Sequence, residues 1–332
     1  MQEAFPSARP GADNSSARRD LVSVSTSARL HFGFLDPSGR GPRPFGSFGL
    51  ALDRPRTRLT VRRSPKLKIT GVDCERALPY LHAIAANFGL PPTYHLHLDE
   101  VIPAHAGLGS GTQLALAIGS SVAVLEGLPL DLSAIAGRLD RGKRSGIGIG
   151  TFGQGGVVLD GGPDTDTLPP VLSRLPFPPQ WRVLLIFDPK GVGTHGASEI
   201  SAFAALPAFP EAETAELSRR LLLSALPALA EHDFATFSDQ IGYLQQRMAA
   251  YFAPIQGGSY ISAGVAAVLD GLAAEGVTGL GQSSWGPTGF AFAASEADGQ
   301  ALLAAAEALA GGEDLRFELV HGRNSPATIE AG

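Results

Sequence analysis

Three glycine-rich stretches, separated by longer apolar segments, are the parts of this sequence best suited to bind a charged substrate. The first precedes a long apolar segment and consists of Gly107, Leu108, Gly109, Ser110, Gly111 and Thr112. Glycines let a backbone turn sharply and approach an anion closely. The start of a helix adds unpaired N–H groups and a partial positive charge. The stretch therefore predicts a phosphate-binding loop with two extra hydroxyl donors; a tight turn that only caps a helix is the open alternative.

The other two glycine-rich stretches place different chemistry beside such a loop. Residues 142–156 carry Lys143 and Arg144 at their start, and these cations suit an anionic substrate. Residues 276–289 include Ser284, Trp285 and Gly286, where the indole offers a flat apolar wall for an aromatic ring. Packing of the indole in the core is the alternative for Trp285.

Three further side chains are candidates for binding anions or moving protons. Arg29 and His31 share the polar face of a predicted strand, where they could hold a phosphate or a carboxylate. His195 lies in a later loop and could shuttle protons. For Arg29 and His31 the alternative is a solvated strand face. For His195 it is an ordinary surface loop.

The elements that must position these residues follow from periodicity. Apolar and polar residues alternate from Val22 to Phe34, which predicts a strand with one polar face. Residues 112–125 are predicted to form a helix, and the segment up to Phe48 a loop. Strands and helices do not alternate regularly along the chain, so we expect an α+β fold in two domains. The predicted divisions are a flexible lead at 1–20, a first domain at 21–165, a Pro- and Gly-rich linker, and a second domain at 176–332.

Composition narrows the class of protein. The chain has 332 residues, 44% of them hydrophobic, a net charge of −6 and one cysteine. It can bury a large core, cannot form an intrachain disulfide, and is too acidic for a typical nucleic-acid binder. The longest apolar stretch, residues 114–125, is too short to span a bilayer. We expect a cytoplasmic protein without nucleic-acid or membrane partners, and a symmetric homodimer as the commonest assembly.

The glycine stretches resemble those of the GHMP kinases, a superfamily that includes galactokinase, homoserine kinase and mevalonate kinase. The match covers Pro103 and residues 107–111, then Ser145, Gly146 and the Gly155-Gly156 pair. Mevalonate kinase-like members carry an aspartate that serves as base for the attacking hydroxyl, and Gly148 stands in its place here. The resemblance implies a polyphosphate site that includes Ser145 and Gly146, while the missing carboxylate puts ordinary phosphoryl transfer in doubt.

Three more segments resemble the β-ribofuranosylaminobenzene 5′-phosphate synthases, a family within that superfamily. They are residues 27–36, residues 188–203 and the run Gly-Gln-Ser-Ser-Trp-Gly-Pro at 281–287. The resemblance spans about 22–330, and four separated motifs agree in order and spacing.

This resemblance implies an enzyme that condenses phosphoribosyl pyrophosphate with 4-aminobenzoate or 4-hydroxybenzoate. Carbon dioxide and pyrophosphate leave, and a carbon–carbon glycosidic bond forms in the synthesis of tetrahydromethanopterin-type cofactors. It implies a two-domain GHMP-kinase-like fold and Mg²⁺ carried with the pyrophosphate, for which Asp36, Asp188 or Glu199 could supply a ligand. The alternatives are a GHMP-type ATP-dependent small-molecule kinase and a non-catalytic nucleotide-binding protein, since fold alone does not fix function.

Overall fold

The structure is a computed structural model that describes residues 19–41, 43–164, 167–191, 193 and 206–332. Most of the predicted lead at 1–20, together with His195 and Glu199, lies outside the described residues. Within those residues the fold consists of two sheets with helices packed against them. The prediction of an α+β fold is confirmed.

The first sheet is built around two long antiparallel strands, β1 (Leu21–Asp36) and β2 (Phe45–Arg63). The other strands of this sheet are β3 (Lys68–Gly71), β4 (Tyr94–Glu100), β5 (Val157–Asp160), β6 (Val171–Leu175) and β11 (Thr328–Ala331). All pairings are antiparallel except that of β3 with β4.

Four helices accompany this sheet: α1 (Cys74–Asn87), α2 (Ser110–Leu125), α3 (Leu132–Arg138) and α4 (Ile147–Gln154). Helix α2 is buried along most of its length, which the mainly apolar residues from Leu114 to its end allow. It packs on β1, β2 and α1, and its first three residues, 110–112, are the last three of the predicted phosphate loop. The central helix therefore holds that loop rigidly at one end.

The second sheet has the order β10 (Arg316–Val320), β7 (Arg182–Phe187), β9 (Gly289–Ala293) and β8 (Leu280–Gln282). Its helices are α5 (Glu211–Arg220), α6 (Leu226–Glu231), α7 (Phe234–Gln256), α8 (Ala263–Ala274) and α9 (Glu296–Leu309). A π-helical turn, Leu221–Ala225, joins α5 to α6.

A shared apolar core joins the two sheets. Phe32 of the first sheet packs on Phe48 of the same sheet and on Phe290 and Phe292 of the second, with ring centroids 5.4–5.8 Å apart. Helix α7 lies against β1, where a Cβ added to Gly33 would come 2.8 Å from a carbon of Met248. The polar face of β1 is therefore held directly against the second half of the chain.

Two predictions about secondary structure were wrong. The segment up to Phe48 is not all loop, because β2 begins at Phe45 and pairs with both β1 and β5. The predicted linker contains β6, which is paired with β5. The structure also shows that the second glycine-rich stretch, for which the sequence predicted no element, contains helix α4. In addition, β11, from the range predicted for the second domain, pairs with β1 in the first sheet.

Candidate active site

The first glycine-rich stretch forms a tight loop that opens helix α2. Gly107 and Gly109 both have φ of +77°, a conformation that favours glycine, and Gly109 is the N-cap residue of α2. Among the described residues, no side chain caps this helix start. Its first backbone N–H groups are therefore free of a side-chain acceptor, as a helix that binds an anion requires.

The third glycine-rich stretch packs directly on this loop through Ser283. The Ser283 hydroxyl donates to the carbonyl of Gly107 at 2.8 Å and accepts from the backbone N–H of His31 at 3.1 Å. A Cβ on Gly107 would lie 2.2 Å from the Ser283 carbonyl oxygen, so only glycine fits there. One buried hydroxyl thus joins β1, the phosphate loop and the third stretch.

Arg29 braces the same loop from strand β1. Its Nη1 donates to the carbonyl of Gly107 at 2.5 Å, and its backbone N–H donates to the carbonyl of Leu108 at 3.0 Å. A Cβ added to Gly109 would lie 3.0 Å from Cγ and 3.1 Å from Nε of Arg29. The guanidinium therefore lies beside the phosphate loop, which favours a role toward phosphate over the carboxylate role also considered from the sequence.

These elements surround an open cleft of about 530 Å³. Four cationic side chains and one carboxylate line it, so the charge in the cleft is positive; they are Arg29, Arg141, Lys143, Arg144 and Asp140. Lys143 and Asp140 form an exposed ion pair. The remaining lining comes from His31, Phe34, Thr112, Ser145, Gly148 and Ser284. A polyanionic substrate fits this combination of cations and an uncapped helix start.

Arg141 is a cleft residue that the sequence analysis missed. Its guanidinium donates to the Tyr80 hydroxyl and lies 5.3 Å from the centroid of that ring. Nη1 of Arg141 would be 3.5 Å from a Cβ on Gly111, which places the cation beside the first turn of α2. An arginine that follows a helix by a few residues has no sequence signature of such a role.

His31 is buried, although the sequence left a solvated face open. Its side chain is 3% exposed, and Nε2 has no hydrogen-bond partner among the described residues. Burial, and next the charge of Arg29, lower the pKa of His31 well below its usual value. The imidazole is therefore neutral at physiological pH.

Trp285 lines a narrow apolar slot next to the cleft rather than the cleft itself. The indole is 8% exposed and packs edge-on against Phe252, with centroids 5.0 Å apart. The slot holds only about 30 Å³, and it shares His31, Phe34 and Ser284 with the cleft. Gly286 lines neither space, because its backbone packs against Gly107. Of the three residues predicted for the aromatic substrate, Ser284 reaches the cleft and Trp285 stands behind it.

The second glycine-rich stretch contributes one wall of the cleft. Arg144 and Ser145 line this wall, but the N–H of Gly146 donates to Oδ2 of Asp160 at 2.7 Å. The prediction that Gly146 binds pyrophosphate is therefore wrong for its backbone N–H, because that N–H already donates to Asp160. A Cβ on Gly148 would lie 2.9 Å from Cγ2 of Thr112, so α4 packs too closely on α2 for a side chain at the position of the kinase aspartate.

Two buried polar side chains hold this wall in place. Gln113 donates to the carbonyl of Gly148 at 2.8 Å and accepts from the Thr26 hydroxyl at 2.5 Å. Asp160 is fully buried and accepts N–H bonds from Ser47 at 3.1 Å, Gly146 at 2.7 Å and Gly162 at 2.9 Å. Burial raises the pKa of this carboxyl, although those three donors oppose the shift.

Asp160→Asn is expected to lower the free energy of unfolding by about 1–3 kcal/mol, because an amide NH₂ would replace one of the two accepting oxygens and leave a buried donor unpaired. Denaturant titration at neutral pH would measure the change. Asp131→Asn is a suitable control, since Asp131 is an exposed N-cap whose side-chain oxygen can be replaced by that of asparagine. Equal stabilities of the two variants would contradict this role.

Two of the three carboxylates considered as magnesium ligands already accept hydrogen bonds, and the third, Glu199, lies outside the described residues. Asp36 accepts from the backbone N–H of Ser38 and Gly41, and Asp188 accepts from those of Lys190 and Gly191 and from the Ser262 hydroxyl. Within the described residues there is no group of three or more His, Cys, Asp or Glu side chains that could hold a metal. Nor is any described helix long and apolar enough to cross a bilayer.

Comparison with family models and solved structures agrees with this architecture. Residues 75–156 match the GHMP kinase N-terminal domain and residues 225–311 the GHMP kinase C-terminal domain. The fold is similar to that of homoserine kinase from Cytophaga hutchinsonii, with a TM-score of 0.69, 18% identity, and coverage of 99% of this chain and 100% of that one. Mevalonate diphosphate decarboxylase from Enterococcus faecalis gives a TM-score of 0.66 at 15% identity, covering 94% and 99%. These likenesses establish the fold alone.

Two curated relatives are similar along most of their length, and both are named β-ribofuranosylphenol 5′-phosphate synthase. The Methanothermobacter thermautotrophicus protein is 26% identical over 92% of this chain and 97% of its own. The Archaeoglobus fulgidus protein is 30% identical over 84% of this chain and 90% of its own. The resemblance inferred from the motifs is confirmed: this chain belongs to the β-ribofuranosylphenol 5′-phosphate synthase family, within the GHMP kinase superfamily.

Proposed function

We propose that this protein joins phosphoribosyl pyrophosphate to 4-hydroxybenzoate or 4-aminobenzoate, with release of pyrophosphate and carbon dioxide. The observation that carries the proposal is the cationic cleft beside an uncapped helix start, with glycine at the position of the kinase base. The phenol in the names of the relatives favours 4-hydroxybenzoate. The product would enter the synthesis of a tetrahydromethanopterin-type cofactor.

The cleft can promote departure of the pyrophosphate. As the bond from the ribose C1′ to the pyrophosphate oxygen breaks, negative charge grows on the leaving group. Fixed N–H dipoles at the start of α2, together with Arg29 and Arg141, interact more strongly with that charge than with the bound substrate. Magnesium enters this proposal only as a counter-ion that the pyrophosphate brings with it.

Ring attack and loss of carbon dioxide require a different environment. The ring carbon that bears the carboxylate must reach C1′, so the ring has to lie where the cleft adjoins the apolar slot. Phe34 and Ser284 line both spaces. A carboxylate fully paired with cations would resist conversion to neutral carbon dioxide, and the apolar side of this junction limits such pairing.

A kinase function has weaker support from the same cleft. Transfer of a phosphoryl group to an alcohol needs an acceptor for the hydroxyl proton. Of the described residues that line the cleft, Asp140 is the carboxylate, and it is paired with Lys143 in an exposed position.

The product identifies the reaction. We expect incubation with phosphoribosyl pyrophosphate, Mg²⁺ and 4-hydroxybenzoate to yield a ribosyl phenol phosphate whose carbon–carbon bond survives acid hydrolysis. Mass spectrometry and NMR of the purified product would show it. An acid-labile product joined through oxygen, either a ribosyl ester or an O-glycoside that keeps the carboxyl carbon, would contradict the proposal.

A further inference from the structure

The imidazole of His31 occupies the junction between the cationic cleft and the apolar slot. It lines both spaces, is buried, and has an Nε2 atom without a hydrogen-bond partner among the described residues. Its backbone is fixed on both sides, since its N–H donates to Ser283 and its carbonyl accepts from the N–H of Ser284 at 3.3 Å. The ring lies 4.6 Å from that of Phe34. A buried nitrogen on a fixed backbone, without a partner in the described part of the chain, is suited to a partner on the substrate.

We propose that His31 accepts the proton of the para hydroxyl of 4-hydroxybenzoate and later returns it, which makes His31 the base of the hydroxybenzoate reaction. This inference rests on the proposed function. A ring whose carboxyl-bearing carbon faces the ribose in the cleft directs its opposite substituent toward the slot, and His31 stands between the two. The same geometry gives no comparable role in the reaction of 4-aminobenzoate.

The difference between the two substrates follows from their electron flow. The C1′–oxygen bond breaks, its electron pair leaves with pyrophosphate, and a pair from the ring forms the new bond to C1′. Electron density from the para substituent compensates the ring. With a hydroxyl, the O–H pair becomes a carbonyl π bond and the proton moves to His31. With a neutral amine, the nitrogen lone pair forms an iminium ion and no proton has to leave.

Decarboxylation then restores the aromatic ring and completes the reaction. The bond from the ring to the carboxylate breaks, carbon dioxide departs, and the electron pair restores the aromatic ring. The para oxygen regains its proton from the His31 imidazolium, so the histidine ends in its starting state. No oxidant, reductant or further reactant is needed.

A neutral imidazole suits this task although burial makes it a weak base. As the ring attacks, positive charge spreads onto the para oxygen, and its proton becomes far more acidic than that of a free phenol. A base is most effective when it meets the proton at that stage of the reaction. The nearby charge on its own strand is Arg29, and Arg144 and the Lys143–Asp140 pair line the cleft from the segment before α4. These cations oppose a resting imidazolium.

The test is the ratio of turnover with the two benzoates. We expect His31→Gln to lower kcat for 4-hydroxybenzoate by about 100-fold or more and kcat for 4-aminobenzoate by less than about fivefold, as loss of a proton acceptor predicts. The matched control is His82→Gln, whose histidine is exposed on α1 and lines neither space. It should leave both rates unchanged.

A second substrate separates proton transfer from positioning. In 3-fluoro-4-hydroxybenzoate the hydroxyl is more acidic, so the deficit of His31→Gln should shrink toward that seen with 4-aminobenzoate. If the variant fails to fold, the solvent deuterium isotope effect on kcat of the wild-type enzyme decides, because only the hydroxyl substrate transfers a proton to His31 and should show the larger effect. Equal isotope effects for 4-hydroxybenzoate and 4-aminobenzoate, or equal losses for the two substrates in the variant, would overturn the role of His31.

The outcomes also distinguish this role from the proposed function. If the wild-type protein turns over 4-aminobenzoate but not 4-hydroxybenzoate, the role of His31 fails and the synthase activity stands. If it turns over neither, the proposed function fails and the role of His31 fails with it.

Discussion

Gly109→Val is expected to lower turnover by about 100-fold or more, which is the scale of loss when reacting groups are misplaced by about 1 Å. The new side chain would begin 3.0 Å from Cγ and 3.1 Å from Nε of Arg29, in a residue whose φ of +77° already disfavours any side chain. Arg29 would be pushed away from the Gly107 carbonyl, and the first N–H groups of α2 would be covered. Steady-state assays with both substrates at saturation would measure the loss.

Gly127→Val is the matched control for backbone strain. Gly127 follows the other end of α2, has φ of +68°, and has no atom within 4 Å of an added Cβ. Both variants carry the strain of a left-handed valine, about 1–2 kcal/mol, so thermal denaturation should show a loss of stability in each. Only Gly109→Val should lose turnover. Equal activity in the two variants would mean that the loop is only a helix cap.

Arg29→Ala is expected to raise KM for phosphoribosyl pyrophosphate by about 10- to 100-fold, the equivalent of about 1.5–3 kcal/mol for a charge-assisted hydrogen bond. The guanidinium lies against Gly109 and donates to Gly107, so its loss removes a cation and a brace from the phosphate loop. KM for the benzoate should change less. Initial rates with each substrate varied in turn would separate the two constants.

Two further variants define what Arg29 contributes. Arg29→Lys keeps the charge but not the planar fork, and it should recover only part of the affinity. Arg58→Ala removes a half-exposed arginine of β2 that is paired with Glu100 of β4. It should leave KM for both substrates unchanged. A defect confined to the benzoate would contradict the phosphate role and restore the carboxylate role first considered for Arg29.

The strands and loops around the site could be predicted where the signal was local. The alternation from Val22 to Phe34 predicts β1, and the glycines before Thr112 predict a loop that opens a helix. Burial of the polar face of β1 could not be predicted in the same way. His31 is covered because Ser283 and α7 return to the strand from more than 200 residues away in the chain.

The second glycine-rich stretch shows why local composition can mislead. Its high glycine content favours a loop by intrinsic propensity, yet residues 147–154 form a helix. Gly148 permits close packing on Thr112, and Gly150 permits it on Val158, where an added Cβ would be 2.9 Å from a methyl carbon in each case. Tertiary packing therefore decides the structure. The supports Gln113 and Asp160 were missed for the same reason, since single polar residues in apolar segments carry no pattern.

The stoichiometry of gas and pyrophosphate release tests the central claim most directly. Purified protein would be supplied with phosphoribosyl pyrophosphate, Mg²⁺ and carboxyl-labelled 4-hydroxybenzoate, with carboxyl-labelled 4-aminobenzoate in a parallel reaction. Trapped labelled carbon dioxide and enzymatically assayed pyrophosphate would be followed over the same time course. A synthase releases the two in equal amounts, and release stops when either substrate is omitted. Pyrophosphate without labelled carbon dioxide, or ATP-dependent phosphorylation of an alcohol with neither product, would contradict it.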